Sequence, residues 1–263
     1  LKYVMSERTK IYFASDFHLG IPNHKDSIDR ERKIVSWLHK IKKDAAEIYL
    51  VGDVFDFWYE WKKVVPRGHV RLLGTLAEIC DSGIPVHFFT GNHDLWTFGY
   101  LEKEIGLKVY RETVKIELQG KKCFLGHGDG LGPGDRGYKF LKNLFTSRLC
   151  QWLFSKFLHP NTSFTIANYF SGKSRISNLE IDESFQGEEN EWLVKYSKEI
   201  LNSEHFDYFV FGHRHLPLDI KLSEKSRYIN LGEWVNYYSY GVLDQGHFEL
   251  KFFESTFSKA INK

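Results

Sequence analysis

Five short strings place side chains able to ligate a metal directly after an apolar run. They are YFASDFH with Asp16 and His18, IYLVGD with Asp53, HFFTGNHD with Asn92, His93 and Asp94, CFLGHGD with His127, and YFVFGHRH with His213 and His215. Carboxylate, imidazole and amide oxygen are the donors that a hard or borderline divalent cation takes. Each apolar run reads as a β-strand, and loops that follow the strands of an open α/β sheet collect in one crevice at their carboxyl ends. The five strings therefore predict one site with the donor set of a two-metal hydrolase. Singly, an Asp-x-His or a Gly-Asn-His-Asp turn can be a loop cap; their joint occurrence after strands carries the assignment. His24, His39, His69, His87, His159, His205 and His247 fall outside the strings and are assigned to surface or packing.

The elements that must position these groups are legible from periodicity. Ile11 to Ser15 reads as a first strand, and Ile28, Ile34, Val35, Leu38, Ile41 and Ala45 recur at helical spacing after it. Ile48 to Val51 is a second strand, Val70 to Asp81 a second helix stopped by Gly83, and Val86 to Thr90 a third strand. The order β, α, β, α, β implies parallel neighbours. Val114 to Leu118 and Cys123 to Gly126 then flank Gln119-Gly120-Lys121-Lys122 as a hairpin. Strands Tyr208 to Phe211, Leu218 to Leu222, Tyr228 to Leu231, Tyr240 to Leu243 and Phe248 to Phe252 are expected to complete a second, antiparallel sheet. Two packed sheets with outer helices follow.

Composition bounds the partners. The 263 residues carry 36 Lys plus Arg against 34 Asp plus Glu, a net charge of +2, which argues for no nucleic-acid partner and makes any basic surface local. Cys80, Cys123 and Cys150 form no disulfide framework and fit a reducing compartment. The start LKYVMSERTK lacks an apolar signal core, and no run approaches the roughly 18 apolar residues that span a bilayer. A cytoplasmic protein is expected, with peripheral membrane contact open.

The stretch between GHGD and GHRH, residues 131–205, reads as an inserted helical cap within one domain over 1–263. Leu141, Leu144, Phe145, Leu149, Trp152, Leu153 and Phe157 share a helical face punctuated by Lys139, Lys142, Arg148 and Lys156. Such a stripe is expected to pack on the main domain, with lipid contact as the alternative. The aromatic run FDFWYEWKK beside Asp53 can wall an apolar cleft or pack a core, and Asp56 within it is read as a loop or hydrogen-bonding residue.

The motifs D-x-H, G-D, G-N-H-D, G-H-G-D and G-H-x-H in this order resemble the calcineurin-like metallophosphoesterase superfamily across the whole main domain. The resemblance implies an α/β (α+β) fold, a four-layer αββα sandwich of two mixed sheets flanked by helices. It implies that Asp16, His18, Asp53 and His215 hold one metal and Asp53, Asn92, His127 and His213 the other, with Asp53 bridging. A shared carboxylate suits cations about 3.5 to 4 Å apart, the spacing at which an acidified water attacks phosphorus in line. His93 would stand near the leaving oxygen as proton or hydrogen-bond donor, oriented by Asp94.

Within the superfamily, SDFHLG, GDVFDFW and the helical insertion resemble the family of UDP-2,3-diacylglucosamine hydrolases of lipid A biosynthesis. That resemblance implies release of UMP and a lipid monophosphate from a UDP-linked diacylated glucosamine. It implies two divalent ions, manganese by the family's habit, and contact with the cytoplasmic face of the inner membrane. The cap would grip acyl chains, while Asp135 and Tyr138 of GDRGYK and Lys173 and Arg175 of SGKSRISN would bind phosphate and sugar. The family commonly carries Arg where this chain has His93. The rivals are a metallophosphodiesterase acting on another nucleotide or phosphodiester, and a non-enzymatic scaffold; a scaffold would be expected to lose ligands, and every one is present.

Overall fold

The computed structural model describes residues 8–132, 136–167, 169, 184–185 and 187–254. β1 (Lys10–Ala14), β2 (Ala45–Val51) and β3 (Val86–Phe89) are apolar on both faces, as central parallel strands must be. Tyr12, Ala14, Ile48, Leu50, Val86 and Phe88 turn toward α1 (His24–Ile41) and α2 (Val70–Asp81). Ile11, Phe13, Tyr49, Val51 and Phe89 turn the other way, onto a second sheet. β1, β2 and β3 pair in parallel, as predicted, and a short β4 (Lys108–Tyr110) extends them. Three residues, KVY, show too little alternation for β4 to be read from sequence.

α1 starts where the Asn23 side chain accepts the Asp26 N–H at 3.0 Å, an N-cap. Its inner face is Ile34, Trp37, Leu38 and Ile41. Ala45 is not the helix's last contact as expected. The Lys42 N–H closes the helix on Leu38, and Ala45 pairs with Lys10 as the first residue of β2.

The second sheet runs β5 (Val114–Leu118), β6 (Lys121–Leu125), β7 (Tyr208–Phe211), β9 (Ser226–Leu231), β8 (Pro217–Ser223). Gln119 and Gly120, at φ 50° and 73°, make the β5–β6 turn alone, so Lys121 and Lys122 belong to the strand. The sheet is mixed rather than antiparallel, because β6, β7 and β9 run parallel. The final hairpin, β10 (Ser239–Asp244) and β11 (His247–Phe252), does not join it. β10 lies antiparallel to β1, with Ile11 opposite Leu243. Alternation shows which faces a strand buries but not which strand it pairs with.

Beyond the second sheet, Leu193 and Val194 of α6 (Trp192–Leu201) pack on Phe124, Phe209 and Phe211. Both sheets are mixed and the layers read α, β, β, α. The last helix of the expected 131–205 insert is thus the outer layer of the main domain.

The other helices of that insert are α3 (Arg136–Thr146), α4 (Arg148–Phe157) and α5 over 160–167. Their apolar stripe does not pack down as expected, for no residue of α4 is buried. Leu149 is 64% and Trp152 55% exposed. An aromatic seam carries the insert instead. Tyr59 lies 5.0 Å from Phe154 and Trp96 lies 5.5 Å from Phe145, ring to ring. Tyr59 donates to the Gln151 carbonyl and Trp96 Nε1 to the Phe145 carbonyl, both at 2.9 Å. Resting on these anchors, the cap stands off the domain and leaves a cavity between them. Among the described residues no helix is long and apolar enough to cross a membrane.

Candidate metal centre

All five strings deliver their side chains to the carboxyl ends of β1, β2, β3, β6 and β7. Asp16, His18, Asp53, His213 and His215 have φ of 54°, 44°, 51°, 65° and 59°. This left-handed region is sparsely populated by residues other than glycine, although Asp and His tolerate it better than most. Each such residue costs on the order of 1 kcal/mol and turns the chain sharply after its strand. The motif glycines leave the room that convergence needs. A Cβ on Gly91 would overlap the Asp53 carboxylate, and one on Gly212 the Asp16 carboxylate.

Three donor clusters result among the described residues, the third being His18, Asp56 and His93. In the first, Asp16 Oδ1 lies 3.6 Å from His18 Nε2 and 3.3 Å from His215 Nε2, with the two nitrogens 3.1 Å apart. In the second, donor atoms of Asp53, His127 and His213 lie within 4.8 Å of one another. His127 Nε2 there is 3.3 Å from both Asp53 Oδ2 and Asn92 Oδ1. The residues fit a cation. Asp16 Oδ1 is buried without a hydrogen-bond partner, which a structure otherwise avoids. His127 Nδ1 lies 2.9 Å from the Val51 carbonyl, which can only accept, so Nδ1 carries a hydrogen and Nε2 is the atom that faces the Asp53 and Asn92 oxygens.

Electrostatics agree. Burial disfavours the Asp53 carboxylate, yet His127 and His93 hold its pKa well below the usual range. Burial likewise penalises the His127 imidazolium, and Asp53 outweighs it, raising the pKa well above normal. His18 is raised to about 9 because Asp16 and Asp56 overcome its burial. His213, buried and beside His127, falls to about 4. The carboxylates thus favour protons on His18 and His127, and a cation bound there would compete with those protons.

His93 and Asp94 depart from their expected relationship. His93 Nδ1 lies 2.9 Å from the carbonyl of Asp56 and 3.7 Å from its carboxylate. Asp94 instead accepts the backbone N–H groups of Gly91 at 2.6 Å and Val54 at 2.8 Å, tying the loops that carry Asp53 and Asn92 together. Burial and then Asp53 raise its pKa to about 7. The residue beside His93 is Asp56, whose Oδ1 also lies 3.5 Å from His18 Nδ1. A carboxylate behind a ligating histidine fixes its tautomer and ring orientation. Sequence reading gave Asp56 only a loop or hydrogen-bonding role; the signal for more was a carboxylate three residues past Asp53 inside an aromatic block. Arg30 was missed. It is buried on α1 and donates to the His18 carbonyl at 2.8 Å and to that of Ile21.

Asp135, Lys173 and Arg175 lie outside the described residues. Tyr138 falls on α3, its side chain also outside them. One cap cation does reach the centre: Lys142 Nζ is 2.6 Å from the buried Asp129 carboxylate of GHGD.

A cavity of about 730 Å³ opens between cap and domain. Its walls are apolar, including Phe57, Leu144, Leu153, Phe157 and Ile166, and its inner end is Asp56, Asn92 and His93. Of the aromatic run, Phe57 walls the cavity, Tyr59 makes the seam, and Phe55 and Trp58 stack in the core with rings 4.3 Å apart. Of the cap stripe, Leu144, Phe145, Leu153 and Phe157 line the cavity, while Leu149 and Trp152 do not.

Comparison with known proteins agrees with this geometry. Residues 9–217 match the model of the calcineurin-like phosphoesterase family. A Porphyromonas gingivalis protein named UDP-2,3-diacylglucosamine hydrolase is 40% identical over 249 residues, 90% of this chain and 95% of its own. Proteins of the same name from Aeromonas salmonicida and Shewanella sp. are each 26% identical, covering 84% of this chain and 85% and 88% of their own.

Proposed function

The chain belongs to the calcineurin-like phosphoesterase family, and from that premise we propose that it hydrolyses the pyrophosphate bond of UDP-2,3-diacylglucosamine in lipid A biosynthesis. The products are UMP and 2,3-diacylglucosamine 1-phosphate. The observation that carries this reading is the junction of metal centre and apolar cavity, which meet at Asp56, Asn92 and His93. A substrate with both a pyrophosphate and acyl chains uses both parts; a soluble nucleotide would leave about 730 Å³ of apolar wall without a function. The curated relatives bear that substrate in their names.

Asp16, His18, Asp53 and His215 are proposed to hold one divalent cation and Asp53, Asn92, His127 and His213 the other, both manganese, with Asp53 shared. When bound, such a pair supplies an acidified water as nucleophile and neutralises phosphoryl oxygens. The chain's own residues do the rest. Arg30 and Asp56 hold His18 in place, and Asp94 ties the Asp53 loop to the Asn92 loop. His93, with Nδ1 fixed on the Asp56 carbonyl, presents Nε2 to the leaving phosphate and donates a proton or hydrogen bond there. Its burial lowers its pKa, and a phosphate anion beside it acts the other way. Asp135, Tyr138, Lys173 and Arg175 are proposed to bind the sugar and its phosphate.

The exposed Leu149 and Trp152 fit peripheral contact with the cytoplasmic face of the inner membrane, from which a diacylated substrate is drawn. The test is release of UMP from the diacylated UDP-sugar with added manganese, beside hydrolysis of an aryl phosphodiester. Aryl hydrolysis without UMP release rejects the substrate and leaves the reaction class.

A further inference from the structure

We propose that the main-domain segment 61–71 is a second docking element for an anionic bilayer, set beside the foot of the cap. The inference rests on reading the cap as lipid-facing and adds the surface that reads lipid charge. The segment, WKKVVPRGHVR, holds Lys62, Lys63, Arg67 and Arg71 and no carboxylate. Val64 and Val70 are 52% and 73% exposed among these cations. Two aliphatic side chains turned outward among these cations, Val64 on the loop and Val70 at the start of α2, suit the interfacial zone of a membrane, where chains enter the headgroup layer and cations meet phosphate.

The loop is continuous with the cap. The Trp61 N–H donates to the Val64 carbonyl at 3.0 Å, tightening the turn that carries Lys62 and Lys63. The Trp61 ring lies 4.6 Å from that of Tyr59, the seam residue that touches Phe154 and Gln151 of α4. On the cap, no Asp or Glu occurs from Arg136 to Ala167, and Arg148 and Lys156 are exposed beside Leu149 and Trp152. With a net charge of only +2 over the whole chain, these two acid-free segments mark segregation of charge rather than a basic protein. Arg71 stands 3.9 Å from Glu31. Lys62, Lys63 and Arg67 have no ion-pair partner among the described residues, which leaves them for lipid.

The experiment is sedimentation of the whole chain with vesicles of phosphatidylcholine alone or with phosphatidylglycerol, at low and high salt. Wild type is expected to bind the anionic vesicles more tightly, with the difference lost in high salt. Lys62→Gln/Lys63→Gln/Arg67→Gln is expected to weaken anionic-vesicle binding by on the order of 100-fold, the effect of three interfacial cations, while aryl phosphodiester turnover is unchanged. Leu149→Asp/Trp152→Asp should reduce binding to both vesicle types. Anionic-vesicle binding unaltered in the triple variant overturns the proposal, as does equal wild-type binding to both vesicles. A triple variant that changes oligomeric state instead identifies the loop as a protein contact and overturns it too. The vesicle readings require no turnover of the diacylated UDP-sugar, so failure here is distinct from failure of the proposed reaction.

Discussion

Arg214 and Glu191 form a bidentate ion pair, Nε to Oε2 at 2.9 Å and Nη2 to Oε1 at 3.1 Å, with both side chains almost fully buried. Arg214 sits between His213 and His215, and Glu191 stands at the N-cap position of α6, its carboxylate turned to Arg214 rather than to the helix N–H groups. The pair therefore ties the loop of His213 and His215 to the outer helix. Removing one partner of a buried pair strands the other charge. Glu191→Ala is expected to lower unfolding free energy by about 3 to 5 kcal/mol, read from urea denaturation; a loss below about 1 kcal/mol would show that solvent reaches the guanidinium.

The metal ligands and His93 should separate cleanly. Asp53→Asn is expected to abolish turnover and manganese loading together, whereas His93→Ala keeps its metal and loses roughly 10²- to 10⁴-fold in kcat. Metal content is measured alongside turnover. Two ions per chain in an inactive Asp53→Asn protein would refute the shared-carboxylate assignment.

Asp56, behind His18 and His93, should act through affinity. Asp56→Ala is expected to weaken manganese binding about 10- to 100-fold, the usual effect of losing a carboxylate behind a ligating histidine. Titration calorimetry measures it, and wild-type affinity in a folded variant removes the role.

The cavity predicts a split between substrates. Leu153→Trp fills apolar volume away from the donors and should raise KM for the diacylated substrate about tenfold or more, with aryl phosphodiester hydrolysis within about twofold of wild type. Equal loss on both substrates would mean that the metal centre itself had been disturbed.

His69 gives a pH-dependent term of its own. Burial, with its ring 5.0 Å from that of Phe55, lowers its pKa to about 4. In the unfolded chain the value is about 6.5, so between these pH values the unfolded state binds more protons. The stability is fully present above pH 6.5 and is lost as pH falls toward about 4, by at most about 3 kcal/mol. His69→Asn, which tolerates the left-handed backbone at φ 55°, should flatten unfolding free energy against pH in that window. Parallel curves for the two proteins would exclude His69 as the cause.

What the chain's order of residues determined by itself was local: the donor types, the strands before them, the period of α1 and α2, and an insert of different character. Those are properties of spacing, and spacing survives without the fold. The return of β10 to β1, the choice of Asp56 rather than Asp94 behind His93, and the Arg30 contact with His18 were decided only in three dimensions. Each depends on which distant surfaces meet, and alternation or helical period is silent on partners. The cap shows this most plainly. Its apolar face was visible in sequence, but whether Leu149 and Leu153 shared a surface was set by the seam at Tyr59 and Trp96. That seam holds the cap off the domain, turning Leu153 to the cavity and Leu149 to solvent.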